Sequence, residues 1–374
     1  MTPEQILQSI YDKAVASLKI PIVNDKGIKE RIDYVCLCMR NRSGVRLLMA
    51  CLLGKLHNPK VDPRKPYTEI GTTDSFSGRK YDEQYLTHFI NLHRLPCNPT
   101  TAFLTPTLRN MDKPLTKRTE LVGRPRELYV KTLQLLDDVA QKRVTPDVLL
   151  AEVVRVLLLF RDEKLGRMKS LFETLKHGEE GALPLCSEAI VGLIKQHLDC
   201  KNSSRLPVLI VAAAYKVAGE RLGEHILPLK SHNAADLQTG CFGDIEICLE
   251  DDDKVVTVYE MKMKRVTIDD IDVAVAKIAK VPKQINNYIF VTTDTIELAV
   301  VEYANKLYDE TGGTEIAILD CIGFLRHFLH FFHRLRTAYL NVYQTLVLGE
   351  PDSSINQTLK ETFLTLRVAA ETGE

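Results

Sequence analysis

The chain is 374 residues long, carries 49 Lys and Arg against 49 Asp and Glu, and is 45% hydrophobic and 26% charged. That length buries a sizeable core and predicts two structural units, and the balance of apolar and charged residues excludes an intrinsically disordered chain. A formal net charge of zero excludes a histone-like protein held to nucleic acid by bulk phosphate attraction, but not an enzyme that gathers its basic residues in a cleft.

The N-terminus, MTPEQILQSIYDKAV, lacks the basic-then-apolar pattern of a signal peptide, and nowhere do eighteen apolar residues run together. No membrane association is expected, and the expected location is cytoplasmic. Most of the nine cysteines, among them Cys51, Cys186, Cys248 and Cys321, stand singly among apolar neighbours, as reduced thiols do, and the one close pair, Cys36 and Cys38, has no second Cys/His pair at zinc-site spacing.

In residues 1–60, Ile6, Ile10, Ala14 and Leu18, then Val45, Leu48, Met49 and Leu52, fall at helical spacing, which predicts helices up to the break at Pro59 and Pro63. From about 61 to 126, Pro, Gly, Thr, Asn and Arg interrupt the apolar runs, predicting an irregular segment around one short helix near 82–92. This segment holds eleven Lys/Arg against seven Asp/Glu, a local basic excess in a neutral chain. Helical patterning resumes over 125–198, where VLLAEVVRVLLLF is apolar enough all round to be a buried helix.

After Ser203 the order changes. A helix is predicted over about 207–222, then strands over 244–249 and 255–262 joined by an acidic turn at 251–253. Thr267 and Asp270 open a helix that runs to 279 in the manner of a capping box, NYIFVTT and EIAILDC read as strands, and helices follow over about 294–308 and 323–348. The tail from Val368 reads as loose. The α-β-β-α-β-α-β order predicts an α/β (α+β) protein: a mixed sheet flanked by helices over 201–374, after a mainly helical region over 1–200 that contains the loop-rich segment.

The chemistry concentrates in GDIEICLEDDDKVVTVYEMK. Asp244 opens one strand and Glu260 and Lys262 end the next, so the hairpin brings Asp244 beside Glu260, and the period of two turns Glu260 and Lys262 to one face. Phosphodiester hydrolysis needs oxygen ligands for a hard cation such as Mg²⁺, an activated water, and positive charge where the phosphorane accumulates negative charge. Asp244, Glu260 and the backbone carbonyl of Met261 are suited to the first task, and Lys262 to orienting the water or offsetting the charge. Glu246 shares the Asp244 face, where it is a candidate secondary acid, with an exposed or salt-bridged role the weightier expectation.

Gly243-Asp244 followed by Glu260-Met261-Lys262 resembles the PD-(D/E)XK signature of the restriction-endonuclease-like nucleases, with Gly in place of the signature's Pro. The resemblance spans 205–322. It implies a restriction-endonuclease-like core, Mg²⁺ as cofactor, catalysis by Asp244, Glu260 and Lys262, and an assisting acid on the preceding helix, the place of Glu220 here. The stretch 67–110, with TEIGTTDSFSGRKYDEQYLTHFI and LPCNPTTAFLTPTLRN, is similar to the SacI-like restriction endonucleases. That similarity implies a type II enzyme acting as a homodimer on a short palindrome in double-stranded DNA, with GAGCTC the candidate site, alongside a cognate methyltransferase that protects it.

The residue types of that stretch suit duplex reading. Arg79, Lys80, Arg94 and Arg109 can contact phosphates or guanine edges, Asn98 and Asn110 can pair with adenine, and Thr100 and Thr101 can meet a phosphate or a thymine methyl. His327, His330 and His333, three residues apart in FLRHFLHFFHRLR, drift about 60° around a helix at each step, so a packed, partly exposed helix is expected there rather than a metal site. Two other readings stand beside the restriction enzyme: a PD-(D/E)XK nuclease of repair, junction-resolving or modification-dependent type, and a catalytically inactive DNA-binding protein. No Gly-x-Ser-x-Gly elbow and no GxxxxGK[ST] loop occurs, which disfavours serine hydrolase and nucleotide-hydrolase chemistry.

Overall fold

The helical spacing of the first sixty residues is realised as three helices: α1 (Pro3–Ala16), opened by a capping box between Thr2 and Gln5, α2 (Lys26–Leu37) and α3 (Ser43–His57). The structure is a computed structural model and describes residues 1–98, 100–109, 111–178, 183–229, 242–252, 254–279 and 285–372. Asn110 and Asp253 lie outside the described residues.

Two compact units make up the chain, Met1–Arg167 and Met168–Glu374. In the first, α3 is apolar all round and is buried from 43 to 54, the expected environment of a helix with no polar stripe. Its buried cation, Arg46, is satisfied by Asp82 at 2.5 Å, by the Thr87 hydroxyl at 2.5 Å and by the carbonyl of Asn98. The second Asp82 oxygen accepts the Thr101 hydroxyl at 2.7 Å and the Ala102 N–H at 2.8 Å. One buried ion pair thus organises much of the irregular segment. Its short helix is longer than expected: α4 (Gly78–Tyr81) continues through a π turn at Asp82–Leu86 into α5 (Thr87–Leu92), and the wide turn is closed by the Thr87 hydroxyl on the Asp82 carbonyl.

Helix α6 (Arg126–Ala140) and the first part of α7 (Pro146–Gly178) complete the core of the first unit. The division between the units falls inside α7, not at 200/201. The reason is packing: Leu175 of α7 and Ile190 and Ile194 of α8 (Ser187–Leu198) belong to the same core as Leu209, Tyr259 and Phe363.

The second unit is a mixed sheet between helices. Helix α9 (Leu206–Leu222) leads through Gly223, in the left-handed region, to β1 (Glu224–Ile226), and β2 (Ile245–Leu249), β3 (Val255–Lys262), α10 (Ile268–Ile278), β4 (Asn287–Thr292), α11 (Leu298–Glu310) and β5 (Glu315–Asp320) follow. The strands lie in chain order, β1-β2-β3-β4-β5; β1, β2 and β3 pair antiparallel, and β3, β4 and β5 pair parallel. Strand β1, three residues long, has no sequence pattern to read. On one sheet face Ile245, Ile247, Tyr259 and Val291 pack with α8, α9 and the C-terminal helices. On the other, Val258, Tyr288 and Phe290 pack with Ile271 and Ala274 of α10 and Val300 and Ala304 of α11.

The long helix expected over 323–348 is two helices, α12 (Cys321–Phe331) and α13 (Arg336–Gly349), with a 3₁₀ turn at His333–Leu335. Breaking at Phe332 lets the Phe328 and Tyr339 rings meet, with centroids 5.5 Å apart. Over 368–372 the tail is helical rather than loose. Helix α14 (Gln357–Thr372) buries Leu359, Phe363 and Leu364, and its Arg367 bonds Glu371 at 2.7 Å. Among the described residues no helix is long and apolar enough to cross a membrane.

Candidate active site

Register places the acidic pair. Ile245 sits opposite Tyr259 in the β2–β3 ladder and the Asp244 N–H donates to the Tyr259 carbonyl at 2.9 Å, so Asp244, just before β2, stands across from Glu260. Directly opposed residues bring their Cβ atoms to about 5 Å. The Asp244 side chain is fixed as well, because its Oδ2 accepts the Met261 N–H at 2.7 Å. Strand β2 has no backbone left to meet that N–H, and the carboxylate satisfies it instead. The N–H and C=O of one strand residue point to the same edge, so the Met261 carbonyl also faces the Asp244 side.

Position 243 is where this chain departs from the signature. A Cβ on Gly243 would lie 2.5 Å from Val258 Cγ1 and 2.7 Å from the Tyr259 carbonyl oxygen. The backbone runs too close to β3 for any side chain, so glycine is a requirement of this hairpin.

Lys262 lies on the Glu260 face, with Nζ 3.4 Å from Glu260 Oε1 and 3.0 Å from Asp270 Oδ1. Asp270 does more than cap α10. Its Oδ2 accepts the Thr267 N–H at 3.0 Å and hydroxyl at 2.8 Å, while Oδ1 holds the lysine. Partial burial works against the Lys262 charge, yet the Asp270 and Glu260 carboxylates outweigh it and hold the ammonium above the ordinary lysine range. Partial burial likewise pushes Asp270 up, and its bonds from Thr267 and Lys262 overcome this and leave it below the ordinary carboxylate range. Lys262 is therefore a charged donor, able to bond an anion or a water but not to take a proton.

The second Glu260 oxygen has two partners that the sequence reading missed. Lys277 Nζ and the Tyr288 hydroxyl approach Oε2 at 3.4 and 3.1 Å, and the same hydroxyl lies 3.1 Å from the carbonyl of Phe242. Tyr288, buried on β4, thus spans the segments that carry Asp244 and Glu260. The available signal was helical period, since 270, 274 and 277 share a face of α10, but the sequence does not say which strand that face overlies. Glu246 accepts the Phe242 N–H at 2.8 Å, a structural role.

Glu220 is not brought to this cluster. It is exposed in the last turn of α9, a helix that packs on the Tyr259 side of the sheet through a 2.8 Å Tyr215–Tyr259 hydroxyl contact. Glu224, four residues on, pairs with Leu249 at the far end of β2 from Asp244. A strand of five residues is roughly 17 Å long, so the helix ends at the wrong end of β2 to assist.

Among the described residues no group of three or more His, Cys, Asp or Glu side chains is arranged to hold a metal ion. Two carboxylates and a strand carbonyl remain. That all-oxygen set fits a hard cation which keeps several waters, as Mg²⁺ does, and suits no soft metal.

In the first unit, Arg79, Lys80, Arg94, Thr100 and Arg109 are exposed and Asn98 is half-buried. Arg79 and Arg109 line one cleft with Thr68, Glu69 and Ser77, over a wall that includes Phe103 and Leu108, and Arg79 also bonds Glu83 at 2.8 Å. Arg94 closes α5 in the left-handed region, with φ 49°. Thr101 corrects the expectation of a DNA contact: it is buried and its hydroxyl is committed to Asp82. Of the histidine series, His327 stacks on Phe331 and His330 bonds at 3.1 Å to Glu188, which also pairs with Arg326, whereas His333 lies beyond the helix end, in the 3₁₀ turn, and not on one helix with the other two. Comparison with models of known protein families gives no match, and no curated protein matches the sequence.

Proposed function

We propose that the protein is a metal-dependent phosphodiesterase of the PD-(D/E)XK kind, a type II restriction endonuclease that cuts double-stranded DNA at a short palindrome, with GAGCTC the candidate site. The observation that carries this reading is the pinned pair: Asp244 across from Glu260, with Lys262 charged on the same face. The mixed sheet with α10 beside that face supports the restriction-endonuclease-like reading of the fold.

Asp244, Glu260 and the Met261 carbonyl are the residues that would hold Mg²⁺. When bound, the ion would supply Lewis-acid activation of water and charge neutralisation at the phosphate. Lys262 would donate to a phosphate oxygen or to the attacking water, its position set by Asp270. Tyr288 holds Glu260 against drift. The exposed cations of the first unit would meet the duplex, and a two-fold pair of subunits would match a palindrome, each copy cutting one strand. A methyltransferase of the same specificity would protect host DNA.

The test is digestion of an unmodified plasmid in Mg²⁺, with native mass spectrometry of the complex with a cognate oligonucleotide in Ca²⁺. Wild-type protein should give discrete double-strand fragments and a two-subunit complex; Asp244→Ala and Glu260→Ala should lose cleavage by at least about a thousandfold while retaining DNA binding. Normal cleavage by either variant removes the assignment, and a one-subunit complex that still makes concerted breaks removes the dimer.

A further inference from the structure

Two ammonium groups bracket Glu260. Lys262 approaches one oxygen and Lys277 the other, each at 3.4 Å, with the three side chains between 18% and 29% exposed. At that depth their charges are screened less than on an open surface. Lys262 belongs to the signature; Lys277 comes from the next helix and has no part in it.

We infer that Lys277 is the internal counter-ion of the site: it holds Glu260 until a divalent cation displaces it, and then presents a second positive charge to the phosphate. This rests on the reading of Asp244 and Glu260 as cation ligands. Among the described residues, Asp244, Glu260 and Asp270 set three negative charges against the two lysines. The cluster is therefore net negative before a divalent ion arrives and net positive after it. Removing Lys277 makes the empty site more negative and the loaded site neutral. Cations are then held more tightly and polyanions less so, a pair of opposite shifts that loss of a merely structural lysine does not produce. Through the exchange, the Tyr288 hydroxyl at 3.1 Å keeps Glu260 Oε2 tethered.

The experiment is calorimetric titration of the full chain with Mn²⁺, followed by binding of a duplex oligonucleotide in Ca²⁺ at fixed salt, for wild type, Lys277→Met and Lys277→Arg. Lys277→Met should bind Mn²⁺ about tenfold more tightly and the duplex about tenfold more weakly. Lys277→Arg, which keeps the charge, should stay close to wild type in both. If Lys277→Met binds Mn²⁺ no more tightly than wild type, or if both affinities fall together, Lys277 is not the counter-ion. If wild type itself binds no Mn²⁺, the reading of Asp244 and Glu260 as ligands fails first, and the counter-ion role fails with it.

Discussion

A methyl group on Gly243 would collide with the Tyr259 carbonyl, an atom of β3 that already accepts the Asp244 N–H at 2.9 Å. Because the obstacle is backbone, relief requires the strand start to move, and Asp244 moves with it. Gly243→Ala should weaken Mn²⁺ binding at least about tenfold by calorimetry and cost about 1–3 kcal/mol in urea unfolding. Unchanged Mn²⁺ affinity would show that the spacing of the two acids does not depend on this contact. At this scale the sequence was legible where partners are close along the chain: Asp244, Glu260 and Lys262 follow from strand period and one hairpin. It was silent where a side chain is consumed by something distant. Thr101 reads like any loop threonine until Asp82 is seen to take its hydroxyl, and nothing near Glu220 signals that its helix ends beyond the far end of β2.

Helix α8 is tied to two others through one buried imidazole. His197 Nδ1 lies 3.1 Å from the Tyr343 hydroxyl of α13, and Nε2 lies 3.0 Å from the Leu359 carbonyl of α14. Bonding a carbonyl puts the single proton on Nε2, leaving Nδ1 to accept from Tyr343. Burial depresses the His197 pKa from 6.5 to about 4, outweighing the Leu359 bond, which acts in the opposite direction. The unfolded chain therefore takes up this proton near 6.5 and the folded chain only near 4. The associated stability is complete above the higher value and is lost as pH falls between them, a contribution on the order of 3 kcal/mol. Urea unfolding at about pH 7 and about pH 5 should show this decline, and His197→Gln should flatten it; an equal decline in the variant would place the effect elsewhere. Existence and type of the long elements were readable because their apolar period repeats over several turns. The break at Phe332 was not, since no Pro or Gly marks it and ring packing decides it.

For the whole molecule, the two units suggest a division of labour under the proposed function: discrimination in Met1–Arg167, hydrolysis in Met168–Glu374. The hydrolytic residues must face a phosphate in every substrate, whereas the exposed Arg79, Arg94 and Arg109 have the donor geometry that base edges distinguish. Alanine at a base-reading position should cost about 1–3 kcal/mol of discrimination between cognate and singly substituted duplexes, while alanine at a phosphate contact weakens all duplexes alike and lowers the salt slope. Competitive binding at fixed salt separates the two, with Asn98→Ala as a fourth variant. If all four variants keep the wild-type ratio of affinities, this unit does not read sequence.

The strands of the second unit lie in the sheet in the order in which the chain supplies them. Asp244 and Glu260 therefore meet by closing one short turn, with no strand inserted between them, whereas Tyr288 arrives only with β4 and Lys277 only with α10. Loop-closure entropy rises with the logarithm of length, so doubling the turn between β2 and β3 costs about 0.6 kcal/mol. That turn can lengthen cheaply without moving either acid, while the link from β3 into α10 has no such latitude, because Asp270 must both start the helix and reach back to Lys262.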